Sequence, residues 1–259
     1  MPQTRGQAEP YRSQLWQNMS KTSDVLKKLV VEMYGGGMSQ REIEYSLESA
    51  VGQFVLSKST GSDLAGSLTE EYEAFRTRAL SQEPVAYLFI DTVYEPLRRW
   101  NQKPGVLCVW AIGEDGRKVL LSLSLTNSES YESCIEVLRD LSKRGMRPPV
   151  TITTDGALGL TKAIASMWPK SLRIRCWFHK RQNLEQKVPE QAWPAFKALV
   201  ADMRDAPSRT QAEERRDQII ALYQREFPEA GRCLLDDAEA SRNHLEVPKR
   251  HQPYVRTSN

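Results

Sequence analysis

The stretch Leu88-Phe89-Ile90-Asp91-Thr92-Val93 constrains the fold more than any other part of this 259-residue chain. Pro84 ends whatever helix precedes it. Val85, Ala86, Leu88, Phe89 and Ile90 then form an apolar run that delivers a carboxylate. Such a run reads as a strand buried inside a sheet, although a short run alone does not separate strand from buried helix. An acid at a strand end often does no more than cap a turn. Its meaning therefore depends on what the rest of the chain supplies.

Strand and helix signals follow in a definite order. Val85 to Asp91 is the first strand, Gly105 to Ile112 the second and Lys118 to Leu125 the third, the last two joined by a tight polar turn at Gly113 to Gly116. Ser128 opens a helix with Tyr131, Cys134, Leu138 and Leu141 on one face, and Gly145 with Pro148-Pro149 stops it. Val150 to Thr154 is a fourth strand that again ends in an acid, Asp155. A helix from Gly156 to Trp168, a short strand from Leu172 to Cys176 and a helix from Trp177 past Leu184 follow. From Pro189 to about Pro248 only helical periodicity is visible.

Three antiparallel strands followed by parallel αβ units form the ribonuclease H-like order, an α/β fold with a mixed sheet. In that arrangement strands one and four lie side by side, so Asp91 and Asp155 meet at one end of the sheet. Two carboxylates that close repel, and one is protonated unless a cation sits between them. Magnesium, or manganese in its place, suits such a site because it takes hard oxygen ligands and leaves positions for water and phosphate. Two such ions about 3.5–4 Å apart bracket an in-line attack on a phosphodiester. The competing reading is that Asp155-Gly156 is simply a turn.

Ahead of the sheet, residues 1–21 read as a disordered arm and 22–82 as a helical region. Val25, Leu26, Leu29, Val30 and Met33 share one face, and Gly35-Gly36-Gly37 ends that helix. Ser39 and Glu42 form a capping box for the next. After Gly52, Ser57 opens a third helix whose first turn carries Lys58, Ser59 and Thr60. Three short helices with a glycine-containing turn resemble a helix-turn-helix, and these side chains can reach base edges and phosphates. Three-helix packing without DNA binding is the alternative.

Residues 83–188 are then the catalytic core and 189–259 a helical insertion. With 27% charged and 40% hydrophobic residues and a net charge of only +3, the chain has an ordinary soluble composition. No run approaches the roughly 18 apolar residues of a membrane span. Cys108, Cys134, Cys176 and Cys233 contain no CxxC pair, which points to reduced thiols in the cytoplasm. Positive charge concentrates at Lys170, Arg173, Arg175, Lys180, Arg181 and Lys187, with Trp177 and Phe178 between them. Such a stretch neutralises phosphates and stacks on unpaired bases, or else is a solvated face with its aromatics in the core. Arg98, Arg99 and Lys103 extend the track. Cys176 and His179 have the spacing of half a zinc site, but no second half accompanies them.

Several of these segments together resemble the Mutator-type transposases of bacterial insertion sequences: Leu88 to Tyr94, Thr153-Thr154-Asp155-Gly156-Ala157, Arg175-Cys176-Trp177-Phe178-His179-Lys180 with Asn183, and Arg256-Thr257-Ser258-Asn259. The Gly37 to Ile43 stretch resembles the entry to that family's helix-turn-helix, and the likeness runs from about Leu29 to the last residue. The resemblance implies a DDE transposase on a ribonuclease H-like core with a helical insertion before the third acid. It makes Asp91 and Asp155 the first two catalytic and metal-binding acids and Cys176 and His179 a signature near the site. It implies double-stranded DNA as partner, both terminal inverted repeats and target, with a homo-oligomer on that DNA and no membrane. It also implies a cytoplasmic protein, nucleoid-associated when bound. In the family the catalytic glutamate follows the Arg-Thr-(Thr/Ser)-Asn motif within a few residues. Neither Glu239 nor Glu246 stands in that motif, so the expectation is a chain truncated before its third acid. The alternative expectation is an inactive DNA-binding derivative that competes with the full-length enzyme.

Overall fold

The computed structural model describes residues 70–94, 105–126 and 128–258. The N-terminal arm, nearly all of the expected helix-turn-helix with Lys58, Ser59 and Thr60, and the loop carrying Arg98 and Arg99 lie outside the described residues. The chain divides into two compact units, Met1–Thr77 and Arg78–Asn259. In the first, residues 70–77 are helical and carry an Arg76–Glu73 ion pair of 2.7 Å. All that follows concerns the second.

Its centre is a five-stranded sheet: β1 (Val85–Tyr94), β2 (Gly105–Gly113), β3 (Lys118–Thr126), β4 (Thr151–Thr154) and β5 (Leu172–Arg175), in the order β3-β2-β1-β4-β5. The first three strands pair antiparallel, and β4 and β5 add in parallel. Strict alternation of burial along β2 marks a strand with one face in the core, whereas all of Thr-Ile-Thr-Thr in β4 is buried, as befits a central parallel strand. The expected first strand ended at Asp91. Instead β1 runs on to Tyr94, because β2 supports it through Tyr94↔Gly105 after its pairing with β4 has stopped at Ile90↔Thr154. The sheet thus forks at Asp91.

Helix α1 (Tyr131–Lys143) starts three residues later than the expected Ser128. The reason is that Ser130 is its cap, its Oγ accepting from the Ser133 amide at 3.2 Å. Its buried stripe of Cys134, Ile135, Leu138 and Leu141 joins Leu160, Ala163 and Ile164 of α2 (Leu158–Met167) and Leu88, Ile90, Val109 and Ile152 of the sheet in one core. Gly159 allows the two helices to close on each other. A Cβ there would stand 2.1 Å from the Glu129 carbonyl oxygen.

The rest is helical, as the periodicity predicts: α3 (Trp177–Glu185), α4 (Trp193–Arg204), α5 (Arg209–Tyr223), α6 (Pro228–Leu235), α7 (Ala238–Arg242), a 3-10 turn (Asn243–Glu246) and α8 (Gln252–Val255). A second core of Trp177, Leu184, Trp193, Phe196, Val200, Met203, Ile219 and Leu234 holds this block together. The chain then returns to the sheet. Val247 and Val255 pack on Ile174 and Tyr87, burial worth about 1.5–3 kcal/mol for each aliphatic side chain. The Thr153 hydroxyl donates to the Val255 carbonyl at 2.6 Å, and the Trp177 amide donates to the Arg256 carbonyl at 2.9 Å. Residues 256–258 therefore lie across the C-terminal ends of the parallel strands. Among the described residues no helix is long and apolar enough to cross a membrane.

Candidate active site

The parallel register β1–β4 runs Tyr87↔Thr151, Leu88↔Ile152, Phe89↔Thr153, Ile90↔Thr154. One step further on stand Asp91 and Asp155, on strands about 4.8 Å apart. Alternation carries both to the side on which Thr153 meets Val255. Asp91 is mostly enclosed, its side chain 16% exposed, and both of its oxygens have neighbours. Oδ2 accepts the Ser258 hydroxyl at 2.9 Å, and Oδ1 lies 3.8 Å from His179 Nε2. Asp155 Oδ1 accepts the Ala157 amide at 2.9 Å, so the turn reading of Asp155-Gly156 is correct for that oxygen. Oδ2 takes no hydrogen bond among the described residues.

Cys176 follows β5 directly, caps α3 and is wholly buried. Ser258 reaches its sulfur twice, through the backbone amide at 3.4 Å and the hydroxyl at 3.3 Å. Burial by itself would raise the thiol's pKa. The imidazole of His179 and the two donors of Ser258 outweigh it and bring the thiol down to about 6. Reciprocally, Cys176 raises the His179 pKa against the effect of burial, and Asp91 and Asp155 push it the same way. His179 Nδ1 itself is buried without a hydrogen-bond partner. That His179 responds to both aspartates is a sign that the two carboxylates share one site.

Two participants have roles that the sequence analysis did not assign. Ser258 stands in a recognised motif, but only the folded chain shows that it bridges Asp91 and Cys176. Glu129 precedes α1 with its backbone against α2. Burial pushes its carboxyl pKa up, Thr92 opposes this, and Asp155 and Asp91 raise it further. Thr92 Oγ1 is itself buried without a closed hydrogen bond. The signal for Glu129 is the strand order, since the turn after β3 opens onto the end of β1 and β4.

As to a metal, the donor chemistry fits a hard divalent cation: two carboxylates where the β1–β4 pairing stops, with Asp155 Oδ2 free of hydrogen bonds among the described residues. Among the described residues no set of three or more His, Cys, Asp or Glu side chains is arranged to hold an ion. Among the described residues Cys176 and His179 gain no second pair of ligands.

The basic residues separate. Arg173 is locked in an ion pair with Asp237, Nη1 to Oδ2 at 2.6 Å. Lys180 is 1% exposed and donates to the Cys233 and Asp236 carbonyls, so the expected contact with DNA is corrected to an internal one. Burial draws its pKa down. Trp177 is also interior, its indole donating to the Ser241 carbonyl at 2.9 Å. Arg181 stays on the surface, 5.8 Å from the centre of the Phe178 ring. Arg175 is buried beside Gly156.

The family described as "Transposase, Mutator family" matches residues 1–259. The chain belongs to the Mutator family of transposases. It is 31% identical over 228 residues to the transposase for insertion sequence element IS6120 of Mycolicibacterium smegmatis, covering 88% of this chain and 71% of that one. It is 29% identical over 237 residues to the transposase for IS1081 of Mycobacterium tuberculosis, covering 91% of this chain but 54% of that one. The chain thus spans between about half and three quarters of these transposases. Among solved structures, the HTLV-2 integrase catalytic core domain in complex with magnesium aligns at 16% identity and a TM-score of 0.28, over 56% of this chain and 88% of that one.

Proposed function

We propose that this chain is a DDE-type transposase on a ribonuclease H-like core, which binds the terminal inverted repeats of its element and cuts and rejoins DNA. The observation that carries this is the pair of carboxylates one step past the last β1–β4 pair, Asp91 within β1 and Asp155 just after β4. Asp91 and Asp155 would hold magnesium or manganese, which supplies a Lewis acid for the phosphate and for the attacking oxygen. The chain's own part is to fix those carboxylates. Ser258 holds one oxygen of Asp91, the Ala157 amide holds one of Asp155, and the imidazole of His179 stands beside the other oxygen of Asp91. In the reaction an oxygen of water or of a 3′-hydroxyl forms a bond to phosphorus as the opposite P–O bond breaks. The region 22–82, a helix-turn-helix with Lys58, Ser59 and Thr60 at its reading helix, recognises the element ends. Arg98, Arg99, Arg175 and Arg181 add phosphate contacts, and the active form is a homo-oligomer on DNA.

Asp91→Asn and Asp155→Asn should each reduce magnesium-dependent cleavage and strand transfer at least a hundredfold while leaving the gel shift of an inverted-repeat duplex unchanged. Transfer at the wild-type rate in either variant refutes the assignment. A second reading, a DNA-binding form that does not cut and competes with a complete transposase, is favoured by the lack of a three-ligand metal set among the described residues. It predicts a specific gel shift without cleavage, and lower transposition when the chain is co-expressed with a complete transposase.

A further inference from the structure

Arg175 is 6% exposed, and its Nε is enclosed with no acceptor. Its guanidinium closes no hydrogen bond or ion pair among the described residues. The nearby anion is already taken, because Asp237 gives both carboxylate oxygens to Arg173. Asp237 feels the Arg175 charge but bonds to Arg173, and a buried guanidinium without a hydrogen-bonded counter-charge survives in a fold only where something further balances it. Its position says what that is. Nη1 stands 1.5 Å from where a Cβ of residue 156 would be, so the group rests on the bare backbone of Gly156, whose φ of +87° also favours glycine. Asp155 is the preceding residue, and Thr154 pairs with Arg175 in the β4–β5 register.

We infer that Arg175, seated on Gly156, is a subsite for a tetrahedral phosphate oxyanion, which in the reaction proposed above is a DNA phosphodiester drawn up beside Asp155. This rests on the transposase reading for the identity of the phosphate, not for the existence of the subsite. A guanidinium offers a planar pair of donors that matches two phosphate oxygens, which an ammonium at the same place does not. Asp155-Gly156 acquires a second purpose: the aspartate turns the chain, and the glycine admits the arginine. Arg175 is therefore distinct from its neighbours Arg173 and Lys180, whose charges the protein itself satisfies.

The test uses the full chain without divalent metal. In the first arm, thermal melts in inorganic phosphate are compared with chloride at equal ionic strength. Wild type should gain a few degrees in phosphate, since a ligand that binds only the folded state raises its Tm. Arg175→Met should lose that gain while melting no lower than wild type in chloride, because an apolar side chain replaces a buried charge that has no hydrogen-bonded partner. Arg175→Lys, which keeps the charge, guards against a packing artefact and should retain part of the gain. In the second arm, binding of a duplex is followed against salt. Arg175→Met should weaken it about tenfold and reduce the slope of log affinity on log salt by about 1, the signature of one lost phosphate contact. A phosphate gain that persists in Arg175→Met overturns the subsite, as does a wild type with no phosphate response. Phosphate binding lost with Arg175, in a chain that binds no DNA, keeps the subsite and sinks the transposase reading instead.

Discussion

Ser258→Ala isolates the contact that ties the C-terminal segment to the site. The substitution removes a hydroxyl that donates to Asp91 Oδ2 at 2.9 Å and lies 3.3 Å from Cys176 Sγ, but leaves the backbone amide on that sulfur. A hydrogen bond to a charged acceptor contributes about 1.5–3 kcal/mol. Because Asp91 keeps some solvent, the lower end applies, and about 1.5 kcal/mol corresponds to a Tm lower by about 3–6 °C in a unit of this size. Ser258→Thr keeps the hydroxyl and should recover most of it. A cycle with Asp91→Ala should show a coupling of about 1.5 kcal/mol by urea melts, where independent sites add within about 0.3–0.5 kcal/mol. An independent readout is thiolate absorbance. Burial raises the pKa values of Cys108, Cys134 and Cys233, Cys134 to about 11, so Cys176 at about 6 is the one thiol that ionises well below the ordinary range. Ser258 is among the groups that lower it, so Ser258→Ala should move that midpoint upward. Additive cycle energies together with an unmoved thiol midpoint would refute the bridge.

Other consequences can be measured directly. Asp237→Asn keeps a residue tolerant of the left-handed backbone at φ 51° but removes the charge facing Arg173, and loss of one partner from this largely buried pair should destabilise by about 3 kcal/mol in urea melts. Burial holds the His244 pKa below its ordinary 6.5, so the native ring stays neutral while the unfolded one takes up a proton first. The stability it contributes is complete above about 6.5 and is lost as pH falls, so Tm should drop from pH 7.5 to 5.5, and less so in His244→Gln. Thr153→Val strips the donor from the buried Val255 carbonyl, at about 1–3 kcal/mol, and hydrogen exchange at the Trp177 amide, which bonds to Arg256, should accelerate.

The alternation in Gly105 to Gly113 and the apolar runs before Asp91 and Asp155 were legible because a sheet imposes a period of two and a buried strand excludes charge. The adjacency of β1 and β4 followed from their order. Three things were not legible. Whether a lysine in a basic stretch faces DNA or two backbone carbonyls depends on packing, and Lys180 looks the same as Arg181 in one dimension. The extent of β1 depends on β2 outlasting β4 as a partner. The role of Ser258 depends on a return of the chain across the sheet after the helical block.

That return explains why residues so far apart in sequence meet. Because β2 occupies one edge of β1, β4 and β5 can extend the sheet only from the other, and their parallel pairing brings all three strands to the same end of the sheet. Asp91, Asp155 and Cys176 are thereby neighbours before any side chain is considered. The helical block is then anchored beside them, since Trp177 follows Cys176 and lies in the block's own core, with its indole on Ser241 and its amide on Arg256. The block therefore cannot shift without moving the segment that carries Ser258. The orientation of Asp91 is in this way coupled to the integrity of helices that contribute no acid of their own to the site, and a core substitution such as Phe196→Ala should be felt there.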